Sequence, residues 1–351
     1  MRVGRMLSIA LVVVATVLPV SGFAQVTSDS KVWENYDFIP GSKVLFYTDF
    51  SEDIVGNFAR GLKYMSGPGE IVERDGVKML RATGRAEFQI PVGRKLPQRF
   101  TLEIDVLTPK EPPAGYDIVA VEGGPEMDRG DVSAEINWSP ETAMIIGGGK
   151  NGEQRLGDEA AEKARGTVTH LRILMDGGYF KMYANEKRLY NVPELPFRRA
   201  AVVRVSFRGG EEENQATFLT SIRLAESETD VLYDALNAKG RWATQGILFA
   251  TGKADLQPES RPVLKEIAVT LKKYGTLKIL IEGHTDNVGS AASNLALSEA
   301  RAAAVKGALV AEFGVDGGRV TTKGFGDTKP SVPNATAAGR AQNRRVEVVK
   351  Q

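Results

Sequence analysis

The sequence predicts a multi-domain chain: an all-β sandwich, jelly-roll-like, followed by an α/β domain with a small mixed sheet and two main helices. Three observations predict it. From about Val44 to Leu224, short apolar or alternating runs recur, bounded by Gly, Pro, Asp or Asn. From Ile247 the rhythm changes to strand, helix, strand, helix, with apolar residues at helical spacing. The length, 351 residues of which 42% are hydrophobic, fits about two packed domains.

The chain opens on an export signal over residues 1–24. Arg2 and Arg5 give a basic start, and Leu7 to Val20 is mostly apolar but shorter than the roughly 20 residues of a spanning helix. Gly22-Phe23-Ala24 supplies the small residues of a cleavage site, so the mature chain is expected to start at Gln25. Removing Arg2 and Arg5 shifts the formal charge from +1 to −1. A near-neutral chain has no electrostatic footprint for nucleic acid. With no cysteine, neither disulfides nor a lipid anchor at the cut site is expected, so packed cores must carry the stability.

Residues 25–43 read as a leader, rich in aromatics but without period. The sandwich, residues 44–225, follows. Its strands are expected at Val44–Tyr47, Val77–Ala82, Ala86–Ile90, Phe100–Val106, Ile118–Val121, Ser133–Trp138, Ala143–Ile146, Thr167–Met175, Tyr179–Ala184, Ala201–Phe207 and Ala216–Arg223. Asp176-Gly177-Gly178 between two of them is a hairpin signal. In order and in three stretches the region resembles concanavalin-like jelly rolls: Asp49-Phe50-Ser51, Leu96 to Glu103, and His170-Leu171-Arg172-Ile173 with Tyr179 to Tyr183.

A helical linker is expected over 226–242, with Thr229 as N-cap, Val231, Leu232, Ala235 and Leu236 on one face, and an end near Lys239-Gly240. In the α/β domain, 243–351, Gly246–Phe249 is the first expected strand. Pro258 opens a helix whose Val263, Leu264, Ile267, Leu271 and Tyr274 share a face. Leu277–Ile281 is a strand, Leu295–Phe313 the second helix, and Arg319–Gly324 and Arg345–Val349 complete the sheet.

Three motif blocks in this domain carry the chemistry. Ile281-Glu282-Gly283-His284-Thr285-Asp286 ends a strand, Asn294 to Ala302 opens a helix, and Asn343-Arg344-Arg345-Val346-Glu347 closes the set. Asp286 and Arg301, fifteen residues apart, cannot be neighbours on one helix face, but a strand-end loop and the next helix can bring them to one crevice. A carboxylate partners an ammonium, and a guanidinium offers a planar fork to a carboxylate. Free backbone N–H groups around Gly283 to Asn287 could add donors. The pattern Gly-His-Thr-Asp, then Asn-x-x-Leu-Ser-x-x-Arg-Ala, then Asn-Arg-Arg-Val resembles the OmpA-like peptidoglycan-binding domain over roughly the last third of the chain. That resemblance implies that Asp286 and Arg301 bind the diaminopimelate of the wall's stem peptide. It adds Asn294, Leu297 and Ser298 as capping and pocket-wall residues. Thr285, Asn287 and Arg344 complete the candidate set. Between Arg344 and Arg345 the sequence does not say which faces the pocket.

Other constellations are weaker. His284 near Asp286 and Ser298 lacks a nucleophile-elbow sequence and reads as a locally bonded turn histidine. His170 sits in an alternating strand. With two separated histidines and no cysteine, no metal site is expected, and no cofactor either. Glu103 and Asp105 are spaced like the paired acids of jelly-roll glycosidases, but Leu107 and Thr108 stand where a third acid belongs, and a solvated sheet face is the better reading. Gly147-Gly148-Gly149-Lys150 lacks the spacing of a phosphate loop. Glu211-Glu212-Glu213 reads as a solvated loop, and Trp33, Trp138 and Trp242 as packed residues. An outer-membrane barrel is disfavoured because most strands fall short of the roughly 9–11 residues needed to span. The expected function is non-enzymatic: an exported protein of the periplasm or outer membrane, associated with the wall, that binds peptidoglycan and offers its sandwich to a glycan or outer-membrane protein. The alternative is a glycan-active enzyme anchored by its C-terminal domain.

Overall fold

The computed structural model describes residues 36–111, 119–123, 134–140, 142–146, 154–157, 165–227 and 232–351. The export signal, the leader up to residue 35 with Trp33, Ile118, the Gly147–Lys150 turn, Thr229 and Val231 lie outside the described residues.

Alternating runs in the first two thirds of the chain fold into two sheets. The first holds β1 (Lys43–Thr48), β3 (Gly69–Arg74), β4 (Val77–Ala82), β6 (Arg99–Leu107), β11 (Val168–Asp176), β12 (Tyr179–Ala184), β13 (Lys187–Val192) and β15 (Thr217–Glu226), in the order β13-β12-β11-β6-β15-β4-β3, with β1 also pairing β15. The second holds β2 (Lys63–Ser66), β5 (Arg85–Pro91), β7 (Val119–Gly123), β8 (Glu135–Trp138), β9 (Thr142–Ile146), β10 (Gln154–Gly157) and β14 (Val202–Arg208), in the order β10-β9-β8-β7-β14-β5-β2. Every second side chain of a strand points to the same face. Leu102, Ile104 and Val106 of β6 and Leu171, Ile173 and Met175 of β11 therefore meet Phe88 and Ile90 of β5 and Val203, Val205 and Phe207 of β14 in one continuous core. Each such burial contributes about 1.5–3 kcal/mol. Trp138 joins this core. The expected hairpin is present: Asp176 pairs with Tyr179, and Gly177 takes a φ of 63°.

The other face of the first sheet departs from expectation. Glu103 and Asp105 do point away from the core, yet they are not solvated. Glu103 pairs across the sheet with Arg172 and Arg223, and Asp105 bonds Arg172 at 2.7 Å, His170 at 2.8 Å and Ser221 at 2.9 Å. The register sets these partners directly opposite one another. The leader covers the cluster's flank. Tyr36 and Phe38 pack edge-on to Tyr183, and the Gly41 carbonyl accepts from Arg223 at 2.6 Å. The leader is thus packed against the sheet from Tyr36 onward.

The C-terminal part forms a third sheet, β16-β19-β17-β18, from β16 (Arg241–Thr244), β17 (Ile279–His284), β18 (Val320–Gly326) and β19 (Arg345–Lys350). β17 runs parallel to β18 and antiparallel to β19, so the sheet is mixed as expected. The helices are α1 (Leu232–Lys239), α2 (Arg261–Lys273), α3 (Ala291–Ala311) and the unanticipated α4 (Ala337–Asn343). Val263, Leu264, Ile267 and Leu271 of α2 are buried against Ile279, Ile281, Val305 and Val348.

Within the stretch expected as a helical linker, 226–242, α1 places Leu232 and Leu236 in the second core, and β16, which begins at Arg241, pairs β19. The strand expected at Gly246–Phe249 shrinks to one bridge, Phe249 to Leu256. The Leu248 backbone is bonded instead to the Ser260 hydroxyl, at 2.8 and 3.0 Å, and a Cβ on Gly246 would stand 2.7 Å from Val263. No helix among the described residues is long and apolar enough to cross a membrane.

Candidate functional site

β17, an interior strand, ends at His284, and Thr285 to Gly289 lead from it to the start of α3. Ser290 caps α3 by accepting the Ser293 N–H at 3.1 Å. Asn294 is therefore inside the first turn of the helix rather than its cap. Its Nδ2 donates to the Asp286 carbonyl at 3.2 Å, and Thr285 Oγ1 donates to the same oxygen at 2.8 Å. These bonds fix the loop and free the Asp286 carboxylate for other work. One carboxylate oxygen accepts the Val288 N–H at 3.0 Å, and the other accepts from Arg344 at 2.7 Å.

Glycines bring α3 close to the sheet. A Cβ on Gly283 would stand 2.3 Å from the Ser298 carbonyl, and one on Gly324 would stand 2.5 Å from the Glu299 backbone nitrogen. Gly283 thus serves helix–strand contact. Ser298 is fully buried at that contact. Its hydroxyl donates to Leu295 O at 2.7 Å and accepts the Gly326 N–H at 2.8 Å. It supports the site from behind and does not line it, which corrects its expected role in the pocket wall.

An open cleft of about 810 Å³ results, lined by Thr285, Asp286, Asn287, Asn294, Leu297, Arg301 and Arg344, seven of the eight candidates. Arg301 does not pair with Asp286. Its Nε donates to the Lys253 carbonyl at 3.0 Å and its guanidinium lies over the Phe249 ring at 5.0 Å. Burial, and then the positive charge of Arg344, lower its pKa. Among the described residues no carboxylate forms an ion pair with Arg301. Arg344 caps the C-terminus of α4 and faces the cleft, whereas Arg345 turns inward and is held by Glu347 at 2.5 and 2.7 Å. Burial works against the Arg344 charge, but Tyr47 and Asp286 outweigh it and raise its pKa. A smaller cavity of about 250 Å³ lies between the modules, with Arg301 and Arg344 on its wall as well.

The cleft also contains residues that the motif blocks do not include: Asp49, Ser51 and Glu52 from the sandwich, and Asn334 and Arg340 from around α4. Arg340 had a signal, since it stands four residues before Arg344, one helical turn away. For the sandwich residues no signal existed, because periodicity does not say which loop meets another module.

Beneath the cleft lies a second unanticipated group. Glu282, His284 and Glu347 are buried, with one ligand atom of each within 4.8 Å of the others. Arg345 and Arg241 hold both oxygens of Glu347, so much of the acidic charge is already balanced. His284 is not a turn residue. It ends β17, stacks on Phe325 at 5.5 Å, and neither ring nitrogen has a hydrogen-bond partner among the described residues. Burial, reinforced by Arg345, pushes its pKa down to about 4.

The segment that carries this site is similar to known proteins. The OmpA family profile matches residues 248–344, the segment that carries both Asp286 and Arg344. Residues 248–344 are an OmpA family domain. Outer membrane porin F of Pseudomonas aeruginosa is 46% identical over 101 residues, which is 29% of this chain and 29% of that protein. Peptidoglycan-binding protein ArfA of Mycobacterium tuberculosis is 42% identical over 119 residues, 34% of this chain and 35% of ArfA. The chain thus spans about a third or less of these curated relatives. Among solved structures, the peptidoglycan-associated lipoprotein of Burkholderia pseudomallei is 33% identical, with 35% of this chain and 100% of that one covered at a TM-score of 0.30. The cell wall anchor of the type VI secretion system (T6SS) of P. aeruginosa is 36% identical, with 34% and 95% covered at 0.29.

Proposed function

We propose that the OmpA family domain of this chain holds peptidoglycan non-covalently, with the diaminopimelate of a stem peptide in the 810 Å³ cleft. Asp286 receives the ammonium group, and Arg301 receives the carboxylate with Arg344 beside it. Thr285, Asn287, Asn294 and Leu297 shape the floor and walls. The observation that carries this reading is the separation of Asp286 from Arg301. They share one cleft, yet Arg301 keeps its guanidinium free of any described carboxylate, so a zwitterion can engage both. The name of the ArfA relative supports the choice of ligand. A few charge-assisted contacts of about 1.5–3 kcal/mol each suit a micromolar, reversible site, and the repetition of the wall adds avidity.

The rest of the chain fits a tether. Residues 1–24 direct export, and the two-sheet module at 44–225, jelly-roll-like, offers a surface to a glycan or an outer-membrane protein. The C-terminal domain keeps the protein at the wall from the periplasmic side. Binding of purified sacculi tests this. Asp286→Ala and Arg301→Ala are each expected to abolish pull-down while circular dichroism stays unchanged. Retention of both variants on sacculi rejects the site.

A further inference from the structure

The cleft is closed on one side by the other module. Asp49, Ser51 and Glu52, in the connection after β1, face Arg340 and Arg344 across it. That connection is held in one shape. Phe50 has a φ of 58°, a left-handed conformation that bulky L residues rarely adopt, while its ring is buried in the sandwich core. Thr48 Oγ1 accepts the Phe50 N–H at 3.0 Å, and Asp49 accepts both the N–H and the hydroxyl of Ser51 at 3.2 and 2.6 Å. Backbone positions of this kind persist only where their surroundings over-determine them, and they concentrate at ligand clamps. Beside the cleft, Gln342 of α4 locks the modules together. It accepts the Val44 N–H at 2.7 Å and donates to the Ser42 carbonyl at 2.6 Å.

The charges across this wall are unequal in their freedom. Glu52 pairs with Arg340, whose side chain is 17% exposed. Asp49 accepts from the Tyr47 hydroxyl at 3.3 Å, and the Tyr47 ring lies 5.4 Å from the Arg344 guanidinium. Arg340 thus already has a carboxylate from the protein, while Arg301 has none among the described residues. A ligand carboxylate aimed at Arg340 would have to displace Glu52 and approach Asp49 as well. Selectivity built from such a repulsive element excludes a competitor rather than strengthening the preferred ligand.

We propose that the Asp49–Glu52 loop is a specificity wall: Glu52 occupies Arg340 and disfavours stem peptides that carry a second free carboxylate next to the diaminopimelate. The preferred ligand is then a stem whose neighbouring α-carboxyl is amidated. This inference rests on the peptidoglycan reading of the same cleft.

The experiment uses the full mature chain and two soluble diaminopimelate stem peptides, identical except that the adjacent α-carboxyl is free in one and amidated in the other. Titration calorimetry of the wild type is expected to show tighter binding of the amidated peptide, by up to about fivefold, the scale of one partly exposed charge interaction. Glu52→Gln, which keeps shape and removes charge at a side chain 55% exposed, should bring that ratio close to one. Equal binding of the two peptides by the wild type, or a ratio unmoved by Glu52→Gln, overturns the proposal. Asp286→Ala in the same assay separates the two levels: if it still binds both peptides like the wild type, the cleft is not the site, and the underlying reading fails instead.

Discussion

The molecule builds two clusters from the same ingredients and partners their charges differently. On the outer face of the sandwich, Glu103 and Asp105 meet Arg172, Arg223 and His170. In the C-terminal cleft, Asp286 meets Arg344 while Arg301 stands apart. The first cluster is mutually satisfied: Arg172 is 6% exposed and bonds both carboxylates, and Asp105 bonds three neighbours. Burial raises the Asp105 pKa, but Arg172 and His170 reverse this and hold it well below the usual carboxylate range. Asp105 is thus held as an anion that its neighbours on β11 and β15 already bond. The second cluster lies open beside about 810 Å³ of solvent and leaves one guanidinium without a described carboxylate. Charges that saturate one another hold a structure, whereas charges left short of partners can take a ligand.

The sharpest way to break this contrast is to remove one guanidinium from each cluster. Arg172→Ala removes the buried cation that two carboxylates share, leaving Glu103 to Arg223 and Asp105 to His170 and Ser221, and should destabilise the sandwich by about 3 kcal/mol, the low end of the cost of breaking a buried pair. Arg301→Ala strands no carboxylate and gives up an exposed bond to the Lys253 carbonyl and a contact with Phe249, each worth about 1 kcal/mol or less. Urea unfolding of the two variants checks this through their midpoints at constant slope. Equal losses would mean that the two clusters are not different in kind.

What the sequence made legible follows the same line between inside and outside. The apolar stripe of α2 and the hairpin at Gly177-Gly178 were readable because periodicity and turn chemistry are local. Four strands of the sandwich escaped: β2, β3, β10 and β13. Each ends its sheet order. An edge strand buries little, so Lys63-Tyr64-Met65-Ser66 is largely exposed and Gly69 to Arg74 buries only Ile71, and neither shows a clean alternation. The outward direction of Glu103 and Asp105 was readable from period two, but the cover laid over them by Tyr36, Phe38 and Gly41 was not. In the cleft, seven C-terminal residues were legible from the motif, Asn334 and Arg340 were not, and those from the sandwich came from a contact between modules that leaves no trace in local pattern.

His284 extends the comparison to pH. Its folded pKa, about 4, lies below its ordinary value of 6.5, so the unfolded chain takes up the proton first as pH falls. Stability contributed by neutral His284 is complete above pH 6.5 and is lost between 6.5 and 4, on the order of 3 kcal/mol in all. Stability of the wild type and of His284→Gln, measured between pH 7 and 4, should converge if the histidine is responsible. Asp105, ionised throughout that range, should contribute no such loss. Gly283→Ala comes next in size. The added methyl would meet the Ser298 carbonyl, and about 1–3 kcal/mol of overpacking is expected in thermal unfolding.

Ser290→Ala should have the smallest effect and the most diagnostic one. The hydroxyl caps α3 through the Ser293 N–H, and its loss should cost about 1 kcal/mol. The residues on either side define the cleft: Asp286 lies four positions before the cap and Asn294 four after it. If the loop depends on the helix start, sacculus affinity should fall along with stability. If the bonds from Thr285 and Asn294 to the Asp286 carbonyl suffice, affinity should hold while the melting temperature drops by a few degrees. The second outcome is expected. Those two bonds run from buried side chains to the Asp286 backbone carbonyl, whereas the Ser290 cap is exposed, and a site held by buried bonds does not need its surface cap to keep its shape.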